Sequence, residues 1–528
     1  MTTESLPLFS QYNSNVSSQE DTMESRLQKR QQDFLSTDDF STIKENSMSN
    51  ELSLGENSRN LIFKQKRLKQ NLNTIEILYP LKDKLSIPLD WYEKCEQNNI
   101  DISHFSQIMT SFKLNTDINQ KFYGLVGVKK LILLPESPVQ ELLNEGIINE
   151  LIELLELNSN PEFQYEALLC LIYLITKINE DIKRLILKQG IKKLFKIFES
   201  NIEEIKLQVV LFSGNLAFES SHIRDFLIKE KIYDKILTLI ASTNQKKLIK
   251  NSTWAIANFF RIKPIIPYDY AKKSIKIIAR NLLFLQDDKD FLSDACFILC
   301  FITENYKEGI KELMELEILE NIIKLLDCNV VYIQITSLRL IGNIAAGNAN
   351  QTQKLIDLGL LPQLKKTIFN PKKSIRKETA WILSNIAAGT QKQIENLIKE
   401  DFLPIFQKII LYDEAEVQKE CIWAMANLTN IKDTTFMKKI LEQGILLTMN
   451  KCLLIDDTKN LAVNLEALGN LLAFGKDNKC DEVNPVVKEM ERIGMIDVLE
   501  KLQTHPVEIV YEKTLKLLLE YFEVQYND

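Results

Sequence analysis

An asparagine recurs every 42 or 43 residues along most of this chain. Stepping both ways from Asn385 gives positions 173, 215, 258, 301, 343, 385, 427 and 470. They hold Tyr173, Asn215, Asn258, Phe301, Asn343, Asn385, Asn427 and Asn470, so asparagine fills six of eight equivalent places. Three of the four tryptophans, Trp254, Trp381 and Trp423, stand four residues before Asn258, Asn385 and Asn427. That offset is one helical turn, which puts each Trp–Asn pair on one face. A spacing this constant is an internal repeat, and it restricts the chain to a stack of similar units.

The rest of the sequence agrees and removes other classes. Leu/Ile-rich stretches at helical spacing dominate, with no strict alternation to suggest a sheet. Glycine (15) and proline (13) are both low for 528 residues, as long helices require. No apolar run approaches the ~20 residues that span a bilayer. The start, "MTTESLPLFSQYNSNVSSQED", has no basic segment followed by an apolar core, so no secretory signal is expected. Eight cysteines are scattered without metal-ligand spacing, and the three histidines, His104, His222 and His505, have no triad or ligand companions. No phosphate-binding glycine motif occurs. Neither an enzyme nor a cofactor or metal is expected. The net charge of −7 suits a basic partner and argues against direct nucleic-acid binding.

Residues 1–75 are rich in Ser, Asn, Gln and Glu and read as a flexible tail with two basic spots, "RLQKR" and "KQKRLKQ". Residues 76–522 read as the repeat domain, and 523–528 as a short C-terminal tail. Within one period, "PKKSIRKETAWILSNIAAG" predicts a short helix and a long one ending near Gly389. "TQKQIENLIKE" and "DFLPIFQKII" predict two more. Gly146, Gly190, Gly359, Gly444 and Gly494 precede the last helix of their repeats and are expected to take the left-handed conformation that closes a helix. "IKPIIPYDY" after Arg261 and "KDNKCDEVNP" after Gly475 read as loops. Three helices in about 42 residues fall in the armadillo or HEAT range. The expectation is an all-α, right-handed superhelical armadillo-repeat solenoid of about ten repeats, with a concave groove.

An asparagine carboxamide offers both a donor and an acceptor, so a ladder of them can pair with the backbone of an extended peptide. Tryptophans one turn away can flank long aliphatic stems and attract Lys or Arg by cation–π contact. The competing reading is that both residues serve repeat-to-repeat packing. An unpartnered buried ladder would cost about 1–3 kcal/mol per polar group, which favours a groove.

"RKETAWILSNIAAGTQKQIENLI", "LRLIGNIAAGNANQTQKLI" and "VQKECIWAMANLTN" resemble the armadillo repeats of the importin-α family, the adaptors for nuclear import cargo. The resemblance spans about residues 100–522. It implies two sites for basic nuclear localisation signals, a major one on repeats two to four and a minor one on repeats six to eight. Carried over, the minor site comprises Arg339, Asn343, Thr352, Glu378, Trp381, Ser384, Asn385, Glu420, Trp423 and Asn427. The major site departs from the pattern: Leu169, Tyr173 and Leu211 replace Trp, Asn and Trp, leaving Asn215, Glu219, Trp254, Asn258 and Arg261. Repeat five carries Phe297 and Phe301 for the usual Trp and Tyr. The resemblance also implies importin-β and a nuclear export receptor as partners, residence in cytoplasm and nucleus, and no membrane. The candidate importin-β segment, "SRNLIFKQKRLKQNL", is only sparsely basic. The rival expectation is an armadillo scaffold that binds another extended peptide in the cytoplasm.

Overall fold

A computed structural model describes residues 87–114, 117–156, 160–478 and 483–522. The tail segments 1–75 and 523–528 lie outside the described residues. Among the described residues the regular elements are helices. After a first helix, α1 (Leu89–Gln97), ten helices of 14–20 residues follow at the expected period. They are α2 (Ile118–Leu133), α3 (Pro161–Leu174), α4 (Glu203–Ala217), α5 (Lys246–Phe260) and α6 (Lys289–Asn305). Then come α7 (Val331–Ala345), α8 (Lys373–Ala387), α9 (Ala415–Leu428), α10 (Thr458–Asp477) and α11 (Glu508–Tyr521). Between successive members lie the remaining, mostly shorter helices.

The described residues divide into two compact units, 87–340 and 341–522. In the first, α2 packs on α3, α3 on α4, α4 on α5 and α5 on α6. In the second, α8 packs on α9, α9 on α10 and α10 on α11. A long helix with neighbours on both sides is apolar nearly all round: in α3 every residue from Glu162 to Leu174 is buried. Aspartates start several of them. Asp288 accepts from the amide of Phe291 at 3.0 Å, and Asp457 from that of Asn460 at 2.9 Å, satisfying amides that a helix start leaves open.

Gly146, Gly359, Gly444 and Gly494 do adopt positive φ, between 69° and 86°. Gly190 does not, because repeat two fuses its two shorter helices into one, Glu180–Ile197. Lys231 and Asp401 take the left-handed turn in repeats without a glycine. Two local expectations are corrected. No separate short helix precedes α8, since residues 371–372 only bend into it, and α10 continues through Gly475 to Asp477 before its loop. Among the described residues, no helix is long and apolar enough to cross a membrane, and no cluster of side chains suits a metal ion.

Candidate peptide-binding site

On α8, Glu378, Trp381 and Asn385 fall at i, i+3 and i+7 and share a face, with Ser384 beside them. All four are buried. Trp381 is 0% exposed and Asn385 1%. The indole packs against the preceding repeat: a Cβ built on Gly342 would sit 2.1 Å from its Cζ3. Gly342 immediately precedes Asn343, so the small residue makes room for the next repeat's tryptophan. Asn343 and Thr352 are buried. The Thr352 hydroxyl donates to the Ala345 carbonyl at 3.0 Å and so ties the following helix to α7. Arg339, also on α7, is fully buried.

On α9, Glu420, Trp423 and Asn427 repeat the arrangement but remain half-buried. The Ser384 hydroxyl donates to the Trp381 carbonyl at 2.8 Å and lies 3.2 Å from Glu420 Oε2, linking the two helices. The decisive difference within this row is at Asn385. Among the described residues, neither its carboxamide nitrogen nor its oxygen has a hydrogen-bond partner, although both are buried.

The corresponding groups in residues 87–340 are committed to the chain itself. Asn215 Nδ2 donates to the Leu211 carbonyl at 2.9 Å. Asn258 Nδ2 donates to the Gly214 carbonyl at 2.9 Å, and its Oδ1 accepts from Arg261 at 2.8 Å. Arg261 also pairs with Asp294 at 3.0 Å and stacks over Phe297 at 5.0 Å. Glu219 is paired with Lys183 at 2.5 Å. Trp254 is buried against Gly214, where an added Cβ would lie 2.8 Å from the ring. For Asn215 and Asn258 the packing reading therefore describes what the side chains do. At repeat two, Leu169 and Tyr173 are only 1% and 6% exposed.

A cluster that sequence reading did not mark lies beside them. Glu166 on α3 is 0% exposed and forms an ion pair with Lys129 of α2 at 2.9 Å. Lys129 also pairs with Glu96 of α1, and the Tyr92 hydroxyl of α1 donates to Glu166. Burial opposes the charge on Lys129, but the carboxylates of Glu166 and Glu96 outweigh it and hold its pKa above the usual lysine range. Burial pushes the Glu166 carboxyl up, against the opposing pull of Lys129. Burial, then Glu166, raises the Tyr92 phenol. The one visible signal was "LVGVKKLIL", two lysines inside an apolar helix.

The family description Armadillo/beta-catenin-like repeat matches residues 348–388. Importin subunit alpha-1b of Oryza sativa subsp. japonica is 31% identical over 405 residues, covering 76% of this chain and 76% of its own length. The chain belongs to the importin-α family. Importin subunit alpha-7 of Arabidopsis thaliana is 33% identical over 396 residues, covering 73% and 75% of the two chains. An engineered protein solved by a structural genomics consortium shares the fold, with a TM-score of 0.63 at 22% identity over 78% of this chain and 97% of its own. This importin-α family member is thus an all-α armadillo-repeat adaptor of the nuclear import class and not an enzyme.

The packing of Trp381 gives a direct check on the row. Gly342→Ala forces the indole aside, because the new methyl would overlap the ring. Affinity for a lysine-rich peptide, read by fluorescence anisotropy, is expected to drop several-fold. Gly469→Ala is the control, since its nearest neighbour, Leu517, would lie 3.3 Å away.

Proposed function

We propose that this chain carries cargo by binding Lys/Arg-rich nuclear localisation signals in extended form, chiefly on repeats six to eight. Asn385 carries the reading. A carboxamide with both atoms buried and unbonded, on the face shared by Trp381 and Glu378, suits a peptide's N–H and C=O. Asn427 would continue the backbone clamp one repeat on. Trp423 and Trp381 would flank lysine or arginine stems, with Glu420 and Glu378 near their cationic heads. A peptide reaches the Trp381 face only by displacing what covers it, so binding includes a local opening. The support for importin-β and an export receptor as further partners, and for movement between cytoplasm and nucleus, is family membership.

An array of basic, scrambled and acidic peptides tests this. Selective capture of the basic set is expected, and capture of another class would favour the scaffold reading. Asn385→Ala is expected to weaken varied basic peptides alike, because it acts on their backbones. Removing residues 1–75 is expected to raise affinity for a basic peptide. Lys64, Lys66, Arg67 and Lys69 would then compete weakly with cargo in cis, tethering raising their effective concentration to about the millimolar range. Unchanged affinity would reduce that segment to a linker.

A further inference from the structure

We infer that α1 is a fixed plug over the repeat-two part of the peptide row, restricting this adaptor to signals with a single basic cluster. The inference rests on the cargo-binding reading above, and its evidence lies within residues 87–340.

Glu166 stands three residues before Leu169, the same offset that separates Glu378 from Trp381 and Glu420 from Trp423. It occupies the place where repeats seven and eight put a carboxylate for the cargo's cation. Here the cation is already present, as Lys129, itself only 5% exposed. A cargo lysine brought to Glu166 would meet the like charge of Lys129. Tyr92 then closes over the pair from α1 through its hydrogen bond to Glu166.

The helix is held along its whole length. At its start, the Ile87 amide donates to Glu162 Oε1 at 3.2 Å. At its end, the Lys130 ammonium donates to the carbonyls of Cys95 (2.8 Å), Glu96 (2.6 Å) and Asn98 (2.6 Å). A cation on the last carbonyls is the favourable sign for a helix C-terminus. Between them the Tyr92 ring lies 5.0 Å from Phe122, which in turn meets Phe163 at 5.1 Å. Undocking α1 would expose its Tyr92 and Cys95 and the adjoining Ile87, all buried, and would uncover the Lys129–Glu166 pair. A mobile strap would not bury charge this way. In the next repeat a carboxylate at a different place, Glu219, four residues after Asn215, is also paired, with Lys183. On α3, a second basic cluster on a cargo therefore finds Glu166 already paired and Leu169 and Tyr173 already covered.

Two readouts on the full-length protein test this. Hydrogen–deuterium exchange of residues 89–97 is expected to be slow without peptide and unchanged when a bipartite basic peptide saturates the protein. Tyr92→Phe, which removes only the hydroxyl, combined with Glu96→Gln is expected to speed that exchange at least tenfold while distant helices stay protected. In anisotropy titrations, the bipartite peptide is expected to bind within threefold of its larger cluster alone. A bipartite peptide that bound tenfold tighter and deprotected α1 would overturn the plug, as would fast α1 exchange in the free protein. Failure to bind any basic peptide would instead remove the proposed function. In that case the exchange data would still decide whether α1 is fixed in place.

Discussion

Replacing Trp381 and Trp423 together by alanine is expected to lower affinity for a lysine-rich signal by at least about tenfold. Each indole contributes about 0.5–2 kcal/mol as a cation–π surface, and about 1.4 kcal/mol is a factor of ten. Lost apolar contact with the lysine stems adds to this. Trp381 is also enclosed against Gly342, so its removal opens a cavity and costs stability of about 3–5 kcal/mol. Trp423, half-buried, separates the two effects: its replacement alone is expected to weaken binding with a smaller change in melting temperature. Trp254→Ala and Asn258→Ala are expected to matter less for binding, since Asn258 already serves Gly214 and Arg261. Anisotropy titrations with single-cluster and bipartite peptides check the ranking, and the reverse order would place cargo on repeat four.

Lys129→Met is expected to destabilise the first unit by about 3–5 kcal/mol at pH 8, because it strands Glu166 and leaves Glu96 without its partner. The loss depends on pH in a defined direction. Burial raises the folded-state pKa of Glu166 above its ordinary 4.5, and without Lys129 the main opposing influence is gone. A carboxyl with a raised folded pKa is uncharged, and tolerated, at low pH. The penalty develops as pH rises above about 4.5 and through the folded value. Urea midpoints for the variant are therefore expected to lie closer to the parent's at pH 5 than at pH 8. Adding Glu166→Gln should recover part of the deficit at pH 8. A pH-independent loss would mean that the cluster acts through packing alone.

The repeat phase was legible because one helical face repeats its chemistry: Trp and Asn at fixed offsets mark the long helix wherever they occur. Turn glycines were legible at Gly146, Gly359, Gly444 and Gly494 for the same reason. Gly190 misled, since a glycine can also sit inside a continuous helix when its flanks pack well, as in Glu180–Ile197. Lys231 carries no mark of the left-handed turn it makes, and Asp401, though a residue type that adopts it more readily, stands where other repeats have glycine. The candidate site was legible as a set of residues but not as a set of partners. Sequence offsets cannot tell that Asn258 is spent on Gly214 while the carboxamide of Asn385 finds no partner among the described residues. Of the α1 cluster only the two lysines in "LVGVKKLIL" were legible, because Tyr92 and Glu166 meet across 74 residues, outside any period.

The unbonded amide of Asn385 has a consequence for how long the protein lasts. A buried donor and acceptor left unsatisfied weaken the unoccupied chain by about 1–3 kcal/mol per group. On the proposed reading, a peptide bonded to Asn385 would remove that penalty and stabilise the fold by mass action. The adaptor without cargo would then be the more easily opened form and the better protease substrate. Its half-life would lengthen when basic cargo is plentiful, so the amount of adaptor would follow the demand for it.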